Sequence, residues 1–242
     1  MPALSRPMHV TFVAGMLAAL AGCAGFSAPG SGPAAAAPEY RVGDRWVYRA
    51  DDGFRTKTVW DETHEVTAIG ADGITVRITQ KGPSIDVTRT ELWSSPGEVR
   101  VGALYDNETR RFVTPLQRYD FPLADGKVWN QFVDNYNEAT RANGNINRYV
   151  RVRGWDKVTT SAGTFDAVSM QVIMRLDDDE FWRYATECNY AVWYAPAVRG
   201  VVREDKDAQY REKDGSMAGG VGGVIRTQHA VLELISFTPG KS

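Results

Sequence analysis

From about residue 39 onward, apolar and polar residues alternate over short runs, and few segments have the spacing of an amphipathic helix. Valine, isoleucine, threonine and aromatic residues are frequent in these runs, as they are in half-buried β-strands. We therefore predict strands at Lys57–Ile69, Ile74–Gln80, Val87–Trp93, Val168–Leu176, Phe181–Tyr184, Ala191–Tyr194, Val198–Glu204 and Ala230–Phe237.

Turn residues separate several of these runs. Ala71-Asp72-Gly73 lies between the first two, Asp177 to Asp179 follow the fourth, and Gly163 allows a tight hairpin turn at little steric cost. Many short antiparallel strands with close turns are typical of β-barrels and sandwiches. The pattern predicts an all-β fold, a barrel or sandwich, with a single antiparallel domain over residues 39–242 that forms a curved sheet.

Two short motifs occur twice in the chain. Gly43-Asp44-Arg45-Trp46 matches Gly126-Lys127-Val128-Trp129, and Trp93-Ser94-Ser95-Pro96 matches Trp193-Tyr194-Ala195-Pro196. Each half thus opens with Gly-x-x-Trp and later carries Trp-x-x-Pro. The order favours two β-meander halves that make one sheet, although two such matches could also arise by chance.

The first 22 residues have the features of a secretory signal peptide. Arg6 precedes the apolar run Val10–Ala21, which as a helix would rise only about 18 Å and is too short for the roughly 30 Å hydrocarbon core. Leu20-Ala21-Gly22-Cys23 then resembles the bacterial lipobox. This resemblance implies cleavage before Cys23 and a protein of the bacterial lipoprotein class. The alternative is that Cys23 is an ordinary residue of a signal peptide that is cut elsewhere.

Acyl chains on Cys23 would hold the protein on a membrane, because two buried chains suffice for stable anchoring. The residues from Phe26 to Pro38 carry no charge and are rich in glycine, alanine and proline, so residues 23–38 are predicted to be a lipidated cysteine followed by a disordered tether. In lipoproteins an aspartate after the cysteine usually marks inner-membrane retention. Ala24 stands there instead, which predicts a periplasm-facing lipoprotein of the bacterial outer membrane.

The charge of the chain argues against a nucleic-acid partner. The 242 residues contain 28 Lys+Arg and 30 Asp+Glu, and removal of residues 1–22 loses only Arg6, which leaves 27 against 30. A nucleic-acid-binding protein normally has a clustered basic surface. The sequence therefore predicts no nucleic-acid binding.

The chain has 2 cysteines. If Cys23 is acylated, Cys188 has no partner for an intramolecular disulfide. A free cysteine is among the most buried residue types, so we predict that Cys188 is buried; a reactive thiol is the alternative.

An ordered set of motifs resembles a widespread group of uncharacterised bacterial envelope proteins. The motifs are Gly43–Trp46, Pro122–Trp129, Ala162–Ala167 and Trp193–Val202, and the resemblance covers roughly Tyr40–Phe237. It implies an antiparallel β fold similar to the half-barrel of the lipoprotein-localisation (Lol) factors, and it implies no established enzyme activity. The long segment Asn130–Arg153 departs from the group's pattern.

No motif in the chain carries clear catalytic or metal chemistry. His64 and His229 are the histidines left after signal cleavage, and no Gly-x-Ser-x-Gly elbow accompanies them. The acidic run Asp177–Glu180 lacks the spacing of a calcium loop and favours a solvated hairpin tip. Gly219–Gly223 lacks the lysine of a phosphate loop. We therefore expect no enzyme activity, no metal and no cofactor; an enzyme would require His64 or His229 to meet carboxylates or a hydroxyl in a cleft.

The aromatic residues are the remaining candidates for a site: the chain has 7 Trp, 10 Tyr and 9 Phe. A curved sheet lined by such side chains can hold an apolar ligand, because most pockets are apolar with few polar anchors. The first hypothesis is non-enzymatic binding of a hydrophobic small molecule or an envelope partner, and the alternative is a structural or assembly lipoprotein that binds another envelope protein. The predicted ligand-binding wall comprises Trp46, Trp129, Trp155 and Trp193.

Overall fold

A computed structural model describes residues 30–53, 58–178, 180–213 and 221–241. Within these ranges the chain forms twelve strands, each antiparallel to the next, and the last strand pairs with the first to close a barrel. A short 3-10 helix, Pro196–Val198, follows the tenth strand. The strands are β1 Arg45–Asp52, β2 Thr58–Gly70, β3 Gly73–Gly82, β4 Ile85–Ser95, β5 Glu98–Ala103, β6 Thr109–Gln117, β7 Val128–Asn137, β8 Ala142–Thr160, β9 Gly163–Asp177, β10 Thr186–Ala195, β11 Gly200–Lys213 and β12 Val221–Thr238.

The prediction of an all-β antiparallel fold is confirmed. Where the family resemblance implied a half-barrel, the described strands close into a barrel, in which β6 and β7 pair only from Arg110 to Phe112. One predicted strand is wrong: Phe181–Tyr184 is not a strand, and only Arg183 within it makes an isolated bridge, to Glu212. Its run of aromatics lies instead in the connection between β9 and β10, where Phe181 is 88% exposed.

Successive side chains of each strand point alternately into the barrel and out of it, as the two-residue period requires. In β10, Cys188, Tyr190, Val192 and Tyr194 are buried, while Trp193 between them faces outward and is half-buried. The predicted burial of Cys188 is confirmed. Burial raises the pKa of its thiol to about 12, so the side chain stays protonated at neutral pH.

The repeated sequence motifs lie six strands apart, and the Gly-x-x-Trp pair occupies equivalent places, whereas Trp93 points into the barrel and Trp193 out of it. Trp46 is the second residue of β1 and Trp129 the second residue of β7, while Trp93 lies in β4 and Trp193 in β10. The glycines that open the two motifs, Gly43 and Gly126, have positive φ angles of 88° and 74°, a backbone conformation that favours glycine. The barrel therefore consists of two six-strand meanders with matching starts.

Gly30 and Ala35 contact the barrel, although both precede the expected domain start at residue 39. Gly30 and Ala35 form isolated antiparallel bridges to Trp155 and Leu123. The bridge to Trp155 forms because this part of β8 lies beyond the last β7–β8 pair and has free backbone groups there. Part of the predicted tether thus lies on the barrel wall.

Cys23 lies outside the described residues. None of the described residues form a helix with the length and apolar character needed to cross a bilayer.

Candidate ligand-binding cavity

The barrel contains a cavity of about 120 Å³. This is below the roughly 300 Å³ at which pockets for drug-sized ligands begin, and it is comparable to the roughly 150 Å³ of an engineered cavity that holds benzene. Its wall combines aromatic and charged side chains. The aromatic ones include Tyr40, Trp46, Tyr48, Trp93, Tyr119 and Tyr194, and the charged ones include Glu62, Arg89, Glu91, Arg118, Arg148, Glu204 and Lys206.

Glu62 of β2 is the centre of one polar cluster on this wall. Its carboxylate is buried and lies 2.7 Å from His64 Nε2, and it accepts hydrogen bonds from Gln80 Nε2 at 2.8 Å and from the Trp60 indole at 3.3 Å. Burial alone would raise the pKa of Glu62, but the contacts with His64 and the charge of Arg89 outweigh it and hold the pKa well below its usual range. Glu62 is therefore ionised at neutral pH.

Glu91 of β4 is the centre of a second cluster. It is 1% exposed and accepts hydrogen bonds from Arg118 Nη2 at 2.9 Å, from the Trp93 indole at 2.8 Å and from the Ala103 backbone at 3.1 Å. Burial would raise its pKa, but the guanidinium groups of Arg118 and Arg89 and the Trp93 indole lower it below the ordinary value. Arg89 lies between the clusters, 3.9 Å from carboxylate oxygens of both glutamates.

These two clusters predict a loss of stability in acid. The pKa values of Glu62 and Glu91 are lower in the folded state than the value of about 4.3 in unfolded chains, so their stabilisation is complete above that value and is lost as the pH falls toward the folded pKa. In Glu91→Gln we expect a lower free energy of unfolding at pH 7 and a shallower decline below about pH 4.3. Urea titrations across pH measure both.

Glu65→Gln is the matched control for this prediction. Glu65 points out of the barrel on β2, where it pairs with Arg77 at 2.6 Å in solvent. Its removal should leave the acid limb nearly unchanged, since exposed ion pairs contribute little. An acid limb in Glu91→Gln as steep as that of Glu65→Gln would contradict the assignment.

Arg148 of β8 lies on the other side of the cavity wall. It is 5% exposed, and its Nη1 donates to the Gln117 carbonyl at 3.0 Å. Burial lowers its pKa to about 10, and the nearby positive charge of Arg118 acts in the same direction. The Trp129 indole donates to the same carbonyl at 3.2 Å, so Gln117 links the two side chains.

Of the four predicted wall tryptophans, the structure places one on the cavity. Trp46 lines it; Trp129 is buried beside it and contacts Arg148 through Gln117. Trp193 faces outward and donates to Asp156, and Trp155 contacts the segment after Gly30 by donating to Pro33. The four side chains therefore do not form one wall.

Sequence reasoning missed most of the polar lining. The signal was present in β4, where Arg89, Glu91 and Trp93 alternate with outward residues and so share the inward face. Charged residues of a half-buried strand usually lie on its solvated face, so the alternation alone does not indicate a polar interior. Only closure of the barrel brings these charges together with those of β8 and β11.

The other candidate residues have structural partners. His229 is exposed and lies 2.7 Å from Asp207. Asp178, expected at a solvated hairpin tip, is instead buried in an ion pair with Arg110. Gly219 and Gly220 lie outside the described residues. In the described part of the chain, no group of three or more histidine, cysteine, aspartate or glutamate side chains is arranged to hold a metal ion.

Comparisons with known proteins support the fold alone. No protein-family model matches the chain, and no curated protein matches it in sequence. Two crystal structures are similar: a protein of Bacteroides fragilis provisionally described as exported, with a YmcC-like fold, and a protein of Parabacteroides distasonis provisionally described as a lipoprotein. They are 12% and 14% identical, align over 85% and 86% of this chain and over 100% of their own, and have TM-scores of 0.50 and 0.51. The finer resemblance to the Lol half-barrel stays a prediction.

Proposed function

We propose that this protein is a periplasm-facing lipoprotein of the bacterial outer membrane that binds a small molecule inside its barrel without transforming it. The cavity of about 120 Å³, walled by aromatic and charged side chains, is the observation on which the proposal depends. A concave site with convergent polar groups is the default candidate for ligand binding.

The chemistry of the wall changes the ligand expected from the sequence. A purely hydrophobic ligand would leave the N–H groups of the buried Arg148 guanidinium that do not donate to Gln117 without water or partner, which costs free energy. The volume is also too small for a long acyl chain. The geometry favours a small amphipathic molecule, with an aromatic or aliphatic part and a polar group.

The envelope location is supported by the segment from Leu20 to Cys23 and by Ala24 after it. The provisional descriptions of the two similar structures, one as exported and one as a lipoprotein, agree with this location. The membrane itself is then a partner through the acyl chains on Cys23.

Binding without catalysis is supported by the state of the His64–Glu62 pair. The two side chains do meet on the cavity wall, as an enzyme would require. Glu62, however, also accepts from Gln80 and Trp60 and has a strongly lowered pKa, so it is a poor proton acceptor at neutral pH. We infer that the His64–Glu62 pair sets the shape and charge of the cavity and does not transfer protons.

Native mass spectrometry of an exported Cys23→Ser protein tests the proposal. We expect this variant in the soluble periplasmic fraction, with a bound species that denaturation releases. Val192→Phe adds volume on the cavity wall and should abolish the bound species; Ala191→Phe, on the outward face of the same strand, should retain it. A bare polypeptide mass, with no uptake of offered small molecules, would contradict the proposal.

The second candidate function is assembly with another envelope protein, and one observation favours it. Tyr149 and Ile173 are paired neighbours on the outward face of β8 and β9, with exposures of 37% and 51%, and Phe132 on β7 is 64% exposed. Exposed apolar side chains in one region are typical of interaction surfaces. A bare mass in the experiment above would make this outer face the next site to study.

A further inference from the structure

The cations of the cavity wall differ in their partners. Arg118 pairs with Glu91 at 2.9 Å, Lys206 pairs with Glu204 at 3.0 Å, and Arg199 pairs with Asp44. Arg148 has no carboxylate within 4.0 Å among the described residues, although it is 95% buried. A buried charge normally has a counter-charge, because its desolvation is costly.

Arg148 is also held in a defined position. Its Nη1 donates a hydrogen bond to the Gln117 carbonyl, and the Trp129 indole donates a second hydrogen bond to the same oxygen. The other N–H groups of the guanidinium have no protein partner in the described part of the chain, and the side chain lines the cavity. The guanidinium therefore offers donors to whatever occupies the cavity.

Three phenol groups add further hydrogen-bond donors to those of Arg148. Tyr40, Tyr119 and Tyr194 line the cavity, and their hydroxyls have no hydrogen-bond partner among the described residues. The rings of Tyr119 and Tyr194 lie 6.0 Å apart. Burial raises the pKa of Tyr119 to about 12, so its hydroxyl stays protonated and can donate.

We propose that the cavity binds a small molecule with an oxyanion group, a carboxylate or phosphate, which pairs with Arg148 and accepts hydrogen bonds from the surrounding phenols. This inference rests on the proposed function and specifies the ligand class. Guanidinium groups suit such anions because two parallel N–H donors match two oxygens. The aromatic rings provide space for a compact apolar part of about one ring.

Calorimetric titration of the Cys23→Ser protein with benzoate, neutral benzamide and inorganic phosphate tests the inference. We expect benzoate or phosphate to bind at least about tenfold more tightly than benzamide, since a hydrogen bond to a charged group is worth about that factor. Arg148→Met should reduce anion affinity to the benzamide level. Arg151→Met, an exposed arginine on the outward face of the same strand, should not change it.

The melting temperature of each variant is measured alongside, so that loss of binding is not confused with unfolding. Anions that bind no better than benzamide, or equal anion binding by Arg148→Met, would overturn the inference. If native mass spectrometry meanwhile releases a neutral molecule, the proposed function stands and only the anionic class is wrong. If no species is released and no probe binds, both fail.

Discussion

Replacing Asp178 with alanine is expected to reduce the free energy of unfolding by about 3–5 kcal/mol, the usual cost of removing one partner from a buried ion pair. Arg110 is fully buried, and it donates from both terminal nitrogens to the Asp178 carboxylate, which is itself 1% exposed. Asn137 and Arg183 also contact this carboxylate. The substitution leaves the Arg110 charge in the interior, with Glu108 as its remaining carboxylate partner.

Two further variants separate charge from packing in this prediction. Asp166→Ala removes an exposed pair with Lys157 and should cost no more than about 1 kcal/mol. The double variant Arg110→Met/Asp178→Leu removes both charges and should be considerably more stable than Asp178→Ala, because no buried charge is left alone. Urea denaturation at pH 7 measures all three. A loss of less than about 1 kcal/mol in Asp178→Ala would contradict the assigned role of the pair.

Trp46→Ala should also reduce the free energy of unfolding by about 3–5 kcal/mol, as truncation of large core aromatics does. Trp46 is 3% exposed, stacks on Phe237 at 5.4 Å and meets Tyr40 edge-on at 5.8 Å. Its indole donates to the Val198 carbonyl at 2.7 Å. A Cβ added at Gly200 would lie only 2.5 Å from the indole nitrogen. The Trp46 ring therefore packs directly against the backbone of β11.

Trp193→Ala is the control, since it removes the same side chain from the outer face. Trp193 donates to Asp156 at 3.0 Å and lies under Arg203, and both contacts are partly solvated. Its loss should cost about half as much or less, because less area is buried. The two variants are compared by their midpoints of urea denaturation, which report stability when the dependence of the unfolding free energy on urea concentration is unchanged. Equal losses in the two variants would contradict the distinction between inner and outer tryptophans.

Individual residues show how much of the fold the local sequence pattern predicts. The alternation in Ile74–Gln80 and Val87–Trp93 predicted β3 and β4 nearly to their ends, because a strand's two faces are a local property. Cys188 was predicted to be buried from residue type alone. The run Phe181–Tyr184 was misassigned because aromatic content without sustained alternation is weak evidence for a strand.

The candidate site was predicted less well, and the reason is physical. Trp46 lines the cavity and Trp155 and Trp193 do not, since the side to which a residue points depends on strand register and on bulges. The pairing register shifts between Val152 and Gly154 in β8 and between Trp193 and Tyr194 in β10, next to these two tryptophans. Such irregularities leave no clear signal in a single sequence.

By itself, the sequence determined the all-β class, the antiparallel meander and the matching starts of its two halves, because alternation, turns and short motifs act over a few neighbouring residues. Only the tertiary structure decided that the sheet closes, that Asp178 meets Arg110 across 68 positions of sequence, and that Arg148 lies on the cavity wall without a carboxylate partner among the described residues. Long-range pairing and barrel closure set which buried charges neutralise one another, and no local pattern encodes that choice.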